Sequence, residues 1–379
     1  MKRALERHAD ENVRVIPIIL RPCDWENQPF AQLQVLPTDG RPVTQWRNRD
    51  QVLAEIARVI RTVVEELRQS MTLAEPTSAP ESQAPMGLET GAMPPDSPFY
   101  ILRSADHEAL QQLSSFDATI VVKGSRKSGK SSLLHRLHAR ARDDGQRSCY
   151  IDFQSIDSSC FANLEGLLRE LAYIIAEELG LPTGPDERWS ERRSPTRNLT
   201  AFLDQAILAA ADTSLQLLFD EADRAFGFPS SCTDLFAMIR SWHNRRANEP
   251  HWRKLQLVIA HSTDPTLWIR DLNQSPFNVG RAIMLADFDQ AQIEALNRTY
   301  GQPLKHEDDM SRLVDLTGGH PYLTRLALYT LATQPSSLAD LEHTAAREDS
   351  LFASHLRQYV RLLLDDAELK TALLQVIHD

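Results

Sequence analysis

The sequence predicts an α/β protein in which a parallel β-sheet carries helices on both faces and is followed by an all-helical subdomain. Short apolar segments rich in β-branched residues alternate with helix-length segments between residues 116 and 288. Such alternation is typical of parallel strands joined by crossover helices. From residue 289 onward the apolar residues follow helical spacing, which predicts the helical subdomain.

The first predicted strand, FDATIVVKG at residues 116–124, is a short apolar run, the pattern of a strand that is buried on both faces. The strands are predicted at residues 116–124, 148–155, 215–223, 254–262 and 281–288. Helices are predicted at residues 129–142, 164–179, 198–211 and 236–246 in the α/β part, and at residues 290–300, 307–316, 322–331 and 351–364 in the helical subdomain.

The net charge of the chain bears on whether it binds nucleic acid. The 379 residues are enough for two or three domains, and the formal net charge is −11. An acidic chain disfavours sequence-independent binding to nucleic acid, which depends on basic surface against phosphates. Residues 243–254, HNRRANEPHWRK, are either a local basic patch or an exposed helix end and loop.

The sequence carries no signal for a membrane, for export or for an oxidising compartment. Its longest apolar runs, such as residues 15–20, are far too short to span a bilayer. The basic start, MKRALERHADEN, has no apolar signal-peptide stretch, and we therefore expect a cytoplasmic protein. The four cysteines lack CxxC spacing, which argues against a zinc site and against a disulfide framework.

One segment indicates a domain boundary. Residues 69–98 are rich in Pro, Ser, Ala, Gly and Met and show neither helical nor strand periodicity, as expected of a flexible linker. The predicted domains are a small α/β segment at residues 1–68, the α/β core at residues 99–288 and the helical subdomain at residues 289–379.

A glycine- and lysine-rich stretch, KGSRKSGKSSLL at residues 123–134, follows the first predicted strand of the core and opens a predicted helix. Gly124, Gly129, Lys130 and Ser131 fit the phosphate-loop pattern GxxxxGKS/T. The glycines allow backbone N–H groups to surround phosphate oxygens, and the helix N-terminus adds partial positive charge. Lys130 would reach the β and γ phosphates, and the Ser131 hydroxyl would bind Mg²⁺. The alternative is a surface turn that starts a helix.

An acidic turn supplies the carboxylates that such a loop requires. In LQLLFDEAD, residues 215–223, an apolar strand runs into Asp220 and Glu221. Asp220 would hold Mg²⁺ through its water shell, and Glu221 would orient and deprotonate the attacking water. The alternative is that these carboxylates cap the next helix.

Two further stretches fit a nucleotide site. Ser262 and Thr263 follow the next strand, where a polar side chain can sense the γ phosphate, although an ordinary turn before Pro265 explains them equally well. In LTGGHPYLTRLALYTL, residues 316–331, paired glycines end one helix and Pro321 lies in the first turn of the next. The end of one helix and the start of the next explain that pattern without a nucleotide site.

Four segments occur in the same order as in bacterial AAA-like ATPases of the STAND class, which are signal-transduction ATPases with numerous domains. These segments are FYILR, GSRKSGKSS, LLFDEAD and GGHPYL. From about residue 97 onward the chain resembles this class, which implies a P-loop NTPase core that binds ATP or ADP with Mg²⁺. The end of the chain, from FASHLRQYV onward, looks like the opening of the winged-helix domain that usually follows in this class.

The resemblance implies roles for individual residues. Arg103 and the backbone near Tyr100 would border the adenine, and Arg281 is a candidate sensor. Gly319-His320-Pro321 matches the G-x-P motif of the class, in which Pro321 would pack near the base or ribose and link the helical lid to the nucleotide state. The loop residues expected to bind the nucleotide are Gly124, Ser125, Lys127, Ser128, Gly129, Lys130, Ser131 and Ser132.

The N-terminal segment resembles the second half of a bacterial TIR (Toll/interleukin-1 receptor) domain, a flavodoxin-like α/β fold. VRVIPIILRPCDW would be a central strand and its loop, and the last helix would bury Val52, Ile56, Val59, Ile60 and Val63. In enzymatic TIR domains a glutamate cleaves NAD⁺, and the matching position falls just before Met1. Glu6 lies past that position, so we expect no NAD⁺ hydrolase activity.

Together these features predict an ATP-binding, slowly hydrolysing switch of bacterial signal transduction or immunity. Nucleotide state would set how the helical subdomain docks on the sheet, and thereby self-association or binding of protein partners. The alternative is a nucleotide-gated scaffold without hydrolysis, and a DNA-directed ATPase is weakened by the net charge. The sequence lacks the guanine-reading Asn-Lys-x-Asp motif, which favours ATP over GTP.

Overall fold

The computed structural model describes residues 16–23, 35–37, 41–46, 52, 56–59, 61, 91–114, 119–265, 276–365, 370–371 and 373–375. The chain consists of two compact units, Met1–Pro85 and Met86–Asp379. The larger unit contains the sheet and the helices that follow it. Residues 69–90 of the predicted linker lie outside the described residues.

The larger unit is built on a five-stranded parallel sheet with the strand order β2-β3-β4-β1-β5. This confirms the predicted fold class, and each strand lies within a segment predicted as a strand or begins one residue before it. The strands are β1 (Thr119–Lys123), β2 (Arg147–Asp152), β3 (Leu215–Asp220), β4 (Leu255–His261) and β5 (Arg281–Met284).

Eleven helices accompany the sheet in the described part of the chain. They are α1 (Ser104–Leu113), α2 (Lys130–Asp143), α3 (Ser158–Phe161), α4 (Leu164–Glu178), α5 (Pro195–Phe202), α6 (Pro229–Arg245), α7 (Gln290–Thr299), α8 (Glu307–Thr317), α9 (Pro321–Thr333), α10 (Leu338–Thr344) and α11 (Ala353–Asp365). The sequence did not predict α1, α3 or α10. The helix predicted at residues 198–211 ends in a π-helical turn, Leu203–Leu208. None of the helices in these ranges is long and apolar enough to cross a membrane.

Both faces of the sheet are covered because neighbouring residues of a strand point to opposite sides. Val121 of β1 packs in a cluster with side chains of α4, α5 and α6. Its neighbours Ile120 and Val122 pack instead with side chains of α1 and α2. The three central strands β1, β3 and β4 are buried on both faces, which explains why they read as continuous apolar runs rather than as alternating ones, whereas the edge strands β2 and β5 are partly exposed.

Helices α7 to α11 form the helical subdomain around a core of their own, which includes Leu296, Leu313 and Leu328. The segment that leads into this subdomain is fastened to the turn between α8 and α9. The Phe288 N–H donates to the Gly319 carbonyl oxygen at 2.8 Å. Gly319 has a φ of 71°, and a Cβ there would lie 2.4 Å from the Phe288 carbonyl oxygen. Only glycine fits this close approach.

The smaller unit has a compact apolar cluster in its described residues. Leu36, Val43, Val52 and Ile56 are buried together, and Val59 packs against them. A parallel bridge joins Ile18 to Leu36. Of the predicted helical stripe, Ile60 and Val63 lie outside the described residues. The likeness of this unit to half a TIR domain stays a prediction.

Adjacent glycines provide a matched test of the joint between sheet and helical subdomain. Gly318 and Gly319 both have positive φ, 61° and 71°, but only Gly319 has a neighbour that a Cβ would strike. We expect Gly318→Ala to cost about 1 kcal/mol from backbone strain. Gly319→Ala should cost roughly 1–3 kcal/mol more from the clash with Phe288. Thermal unfolding followed by circular dichroism measures both, and equal melting temperatures would contradict the close approach.

Candidate functional site

The strand order gathers the predicted functional segments at one edge of the sheet. All five strands are parallel, so their carboxyl ends lie together, and β3, β4 and β1 are consecutive neighbours. Lys123 at the end of β1 is level with His261 at the end of β4. The phosphate loop, the acidic turn at Asp220 and the turn at Ser262 therefore meet, in the place where open α/β sheets bind ligands.

The phosphate loop is held by tight backbone contacts. Gly129 precedes the first residue of α2 and has a φ of 99°, which only glycine adopts without strain. A Cβ on Gly124 would lie 2.5 Å from the Ser128 hydroxyl oxygen. Ser128 is fully buried, and within the described ranges its hydroxyl has no hydrogen-bond partner. The two motif glycines thus permit the loop to curl over the start of α2.

Arg103 fastens this loop from the outside. Its guanidinium Nη1 donates to the Ser128 carbonyl oxygen at 2.7 Å, and its Nη2 lies 2.9 Å from where a Cβ of Gly129 would be. The Arg103 guanidinium also lies 5.7 Å from the ring centre of Phe288. Arg103 borders the cavity as predicted, and the contacts shown here are with the loop backbone.

Tyr100, the other residue predicted to border the adenine, also lines the cavity. Its hydroxyl donates to the Asp106 carboxylate at 2.5 Å, and the same carboxylate accepts the Arg103 N–H at 2.9 Å. Burial and the Asp106 charge raise the pKa of Tyr100 far above its ordinary value. The phenol is therefore neutral and serves to fix the segment that enters α1.

Lys130 points back into its own loop. Its ammonium group donates to the carbonyl oxygens of Gly124 at 3.2 Å and of Ser125 at 2.9 Å, and the residue is 4% exposed. Burial lowers the pKa of Lys130, while the nearby charges of Glu221 and Asp220 raise it. The site therefore contains a dehydrated cation that faces carboxylates across the end of the sheet.

The acidic turn presents two carboxylates in different settings. Asp220 is buried, and its oxygens accept the Tyr150 hydroxyl at 2.6 Å and the Glu221 N–H at 2.9 Å. Glu221 lies in the left-handed region with a φ of 50°, a backbone conformation that residues other than glycine rarely adopt. Burial, and then the charges of Asp223 and Asp220, raise the pKa of Glu221. Glu221 is thereby a stronger proton acceptor than an ordinary glutamate.

The turn after β4 is tied to the acidic turn by Asp223. One oxygen of its carboxylate accepts the N–H groups of Ser262 at 3.2 Å and of Thr263 at 2.9 Å. Thr263 and Glu221 line a cavity of about 410 Å³ together with Arg126. The structure thus brings two of the three sequence-predicted sensor residues, Ser262 and Thr263, to the end of β4, beside the candidate catalytic glutamate.

A second cavity, of about 380 Å³, runs from the phosphate loop to the helical subdomain. Its polar end is formed by the loop, and its opposite end is apolar. The predicted residues that line it are Tyr100, Arg103, Lys127, Ser128, Gly129, Lys130, Ser131, Ser132, Glu221 and Pro321. Its volume and its mixture of apolar walls with few polar groups are typical of a small-molecule site.

The structure adds wall residues that sequence reasoning missed. They are Gly91, Ala92, Met93, Phe99, Ile101, Gln154, Phe288, Leu296, Tyr322 and Arg325. The Met93 N–H donates to the Ser132 hydroxyl at 2.9 Å, so residues assigned to the linker by composition lie against α2. Two of these wall residues, Phe99 and Ile101, belong to the segment FYILR, which the sequence resemblance placed beside the adenine. The contributions of Gly91 to Met93 and of Arg325 carry no local sequence pattern.

The helical subdomain touches the phosphate loop directly. His320 Nε2 donates to the Arg126 carbonyl oxygen at 3.1 Å. The Lys127 ammonium lies 3.9 Å from the ring centre of Tyr322, a cation–π contact. Burial lowers the pKa of His320, which favours the neutral imidazole. The GGHPYL turn therefore starts α9 and also contacts the phosphate loop.

The structure does not bring the candidate sensor Arg281 to this edge of the sheet. Arg281 begins β5 and is level with Ile120, whereas Met284 is level with Lys123 at the end of β1. Three residues of strand place Arg281 about 10 Å before the edge where the site lies. Its guanidinium pairs instead with the Glu108 carboxylate at 2.7 Å, on the surface.

The parallel sheet, the glycine-lined phosphate loop and the acidic turn beside it define a P-loop nucleotide-binding protein. The chain belongs to the AAA-like domain family, whose family model matches residues 88–379. It is therefore an AAA-like P-loop ATPase.

Curated relatives and a solved structure are similar to parts of the chain. An uncharacterized WD repeat-containing protein of Synechocystis sp. is 30% identical over 247 residues, which cover 62% of this chain and 20% of that protein. An uncharacterized protein of Sinorhizobium fredii is 37% identical over 94 residues, which cover 25% of this chain and 27% of that protein. The chain thus spans about a fifth to a quarter of these relatives. A Walker-type ATPase of Pyrococcus abyssi is 17% identical, with a TM-score of 0.47 over 73% of this chain and 79% of that one.

Proposed function

We propose that this protein binds ATP with Mg²⁺ in the cavity of about 380 Å³, hydrolyses it slowly and works as a STAND-type switch in bacterial signalling or immunity. One observation carries the proposal. The cavity joins a phosphate loop with a buried lysine and a desolvated glutamate, at one end, to the helical subdomain at the other.

The polar end suits a chain of phosphates. The loop and the first turn of α2 present backbone N–H groups, and the helix N-terminus contributes partial positive charge. The Lys130 ammonium would exchange its bonds with the Gly124 and Ser125 carbonyls for phosphate oxygens. An anion there would also counteract the lowering of the Lys130 pKa by burial, because opposite charge favours the protonated amine.

Magnesium fits the donor set at this end. The Ser131 hydroxyl and the buried Asp220 carboxylate are hard oxygen donors of the kind that Mg²⁺ prefers. Ser131 and Asp220 would hold the ion, directly or through its water shell. The ion would supply neutralisation of the charge that develops on the β and γ phosphates.

Glu221 is the residue for water activation. It lines both cavities, so water that enters from the side of Thr263 reaches it without crossing the nucleotide cavity. The raised pKa of Glu221 brings its basicity closer to neutral pH, where a general base is most effective. A non-hydrolysing scaffold is the alternative if Glu221 is not used.

The apolar end suits a nucleobase. Phe99, Ile101, Phe288, Leu296 and Pro321 contribute its walls, and Tyr322 adds an aromatic ring. We assign adenine rather than guanine because the sequence lacks the guanine-reading motif. Pro321, the first residue of α9, would contact the base or ribose.

Coupling to the helical subdomain follows from contacts that the nucleotide would disturb. His320 and Tyr322 hold the phosphate loop at Arg126 and Lys127. His320 also packs against His355 at the start of α11, with ring centres 4.8 Å apart. Burial, together with the neighbouring His320, lowers the pKa of His355 to about 4, which keeps this contact uncharged at neutral pH. A change of loop conformation would reach α11 and alter self-association or partner binding.

The smaller unit is proposed as a TIR-like module. Protein partners are favoured over nucleic acid by the net charge of −11.

Lys130→Ala tests phosphate binding. We expect the variant to bind Mg-ATP at least about tenfold more weakly, since a charge-assisted hydrogen bond contributes roughly 1.5–3 kcal/mol. Titration calorimetry measures this. Lys254→Ala is the matched control, because its ammonium donates to the Ala211 carbonyl oxygen at 2.8 Å and does not line the cavity. Unchanged affinity of a folded Lys130→Ala variant would contradict the phosphate-loop assignment.

Glu221→Gln tests the chemistry. The variant preserves shape but removes the base, so ATP affinity should stay within about twofold while single-turnover hydrolysis falls roughly 100-fold or more. In the wild type the rate should rise with pH through an apparent pKa above the ordinary glutamate value of 4.5, because Glu221 must be ionised. Glu108→Gln, at the surface pair with Arg281, is the control. Absence of turnover in the wild type would favour the scaffold function instead.

Pro321→Ala tests coupling. Because Pro321 lies where cavity and α9 meet, the variant should bind ATP but show a smaller ATP-dependent change in protease sensitivity of the helical subdomain. Pro195→Ala serves as control, since Pro195 also starts a helix and is not part of the cavity. Identical protection of variant and wild type by ATP would refute the proposed role of Pro321.

A further inference from the structure

A tyrosine on the neighbouring strand holds the carboxylate assigned to magnesium. Tyr150 of β2 is level with Leu218 of β3, two residues before Asp220. Residues two apart on a strand share a face, so Tyr150 and Asp220 form a diagonal cross-strand pair on one side of the sheet. The Tyr150 hydroxyl donates to Asp220 Oδ2 at 2.6 Å.

The tyrosine ring is itself fixed by the helix that follows the phosphate loop. His135 of α2 stacks on it, with ring centres 4.3 Å apart and an interplanar angle of 28°. Tyr150 also packs at the border of the apolar cluster formed by β1, β3, β4 and α2. The hydroxyl is therefore presented to Asp220 by a ring that has little freedom to move.

Two hydrogen bonds then determine the orientation of the Asp220 carboxylate. Oδ1 accepts the Glu221 N–H at 2.9 Å, and Oδ2 accepts the Tyr150 hydroxyl. A carboxylate with one donor on each oxygen cannot rotate without losing a bond, and each oxygen keeps a further lone pair for a ligand. Groups that orient a metal ligand in this way commonly change metal affinity by about 10–100-fold when they are removed.

We propose that Tyr150 is a positioning residue for the divalent cation: its hydroxyl orients Asp220 so that a carboxylate oxygen faces the cation that accompanies ATP. This inference rests on the proposed function, in which Asp220 belongs to the magnesium site. It extends that function, because it makes the Mg²⁺ dependence of ATP binding a property of β2 as well as of the phosphate loop and β3.

Tyr150→Phe removes the hydroxyl and keeps the ring. ATP affinity is measured by calorimetry in EDTA and over a series of Mg²⁺ concentrations. We expect affinity in EDTA within about twofold of the wild type and an Mg²⁺ requirement raised about tenfold. Tyr173→Phe is the matched control, because the Tyr173 hydroxyl donates to Asp186 on the surface, outside the cavity. Asp220→Asn sets the reference for loss of the magnesium ligand.

The outcomes separate the inference from the proposed function. If Mg²⁺ strengthens ATP binding to the wild type but not to Asp220→Asn, and Tyr150→Phe behaves like the wild type, the role of Tyr150 is overturned alone. An equal loss of affinity by Tyr150→Phe in EDTA and in Mg²⁺ would overturn it too, because the hydroxyl would then support the cavity and not the cation. If Mg²⁺ has no effect on the wild type, the magnesium site of the proposed function fails and the inference fails with it.

Discussion

The buried ammonium group of Lys130 is the constraint on which the site depends. A charge at 4% exposure is costly unless it is hydrogen-bonded and faces opposite charge. The loop must therefore turn its Gly124 and Ser125 carbonyls inward, and glycine at two positions permits that turn. The carboxylates of the acidic turn must lie nearby, where they counteract the lowering of the lysine pKa by burial. A phosphate chain would supply the missing anionic partner.

The strand order of the parallel sheet brings the carboxylates close to the buried Lys130 ammonium group. With β4 between β1 and β3, the loop and the acidic turn approach the same edge, and the turn after β4 lies between them. Asp223 then ties the acidic turn to Ser262 and Thr263, and Tyr150 ties it to β2. The carboxyl ends of β1, β2, β3 and β4 thus form one connected site. The helical subdomain adds the apolar wall and contacts the loop through His320.

Much of this arrangement could be predicted from sequence because it is local. The strands of the core are apolar runs with their own pattern, and the phosphate loop is a contiguous motif in a strand–helix context. Asp220 and Glu221 could be assigned because they follow such a run directly. The helix α1 was missed because its segment, SADHEALQQL, has few large apolar residues to mark a buried stripe.

The rest depends on pairings between distant parts of the chain. The hydrogen bond from Tyr150 to Asp220 spans 70 residues, and no local pattern announces it. The distance of Arg281 from the site could not be predicted because a strand segment does not reveal its register, and the pairing with β1 places this residue well before the functional edge. Residues 91–93 were assigned to a linker by composition, although the Met93 N–H is bonded to Ser132 of α2. The composition of a segment indicates its intrinsic flexibility, but its contacts with the rest of the fold determine where it lies.

We propose that one cavity holds a whole nucleotide, with its phosphates at the loop and its base at the helical subdomain. A structure of the full chain with Mg-ADP tests this most directly. We expect phosphate oxygens against the loop and the Lys130 ammonium, with the base between Ile101 and Pro321. A nucleotide bound elsewhere, or one whose base lies outside the apolar wall while the phosphates occupy the loop, would contradict it.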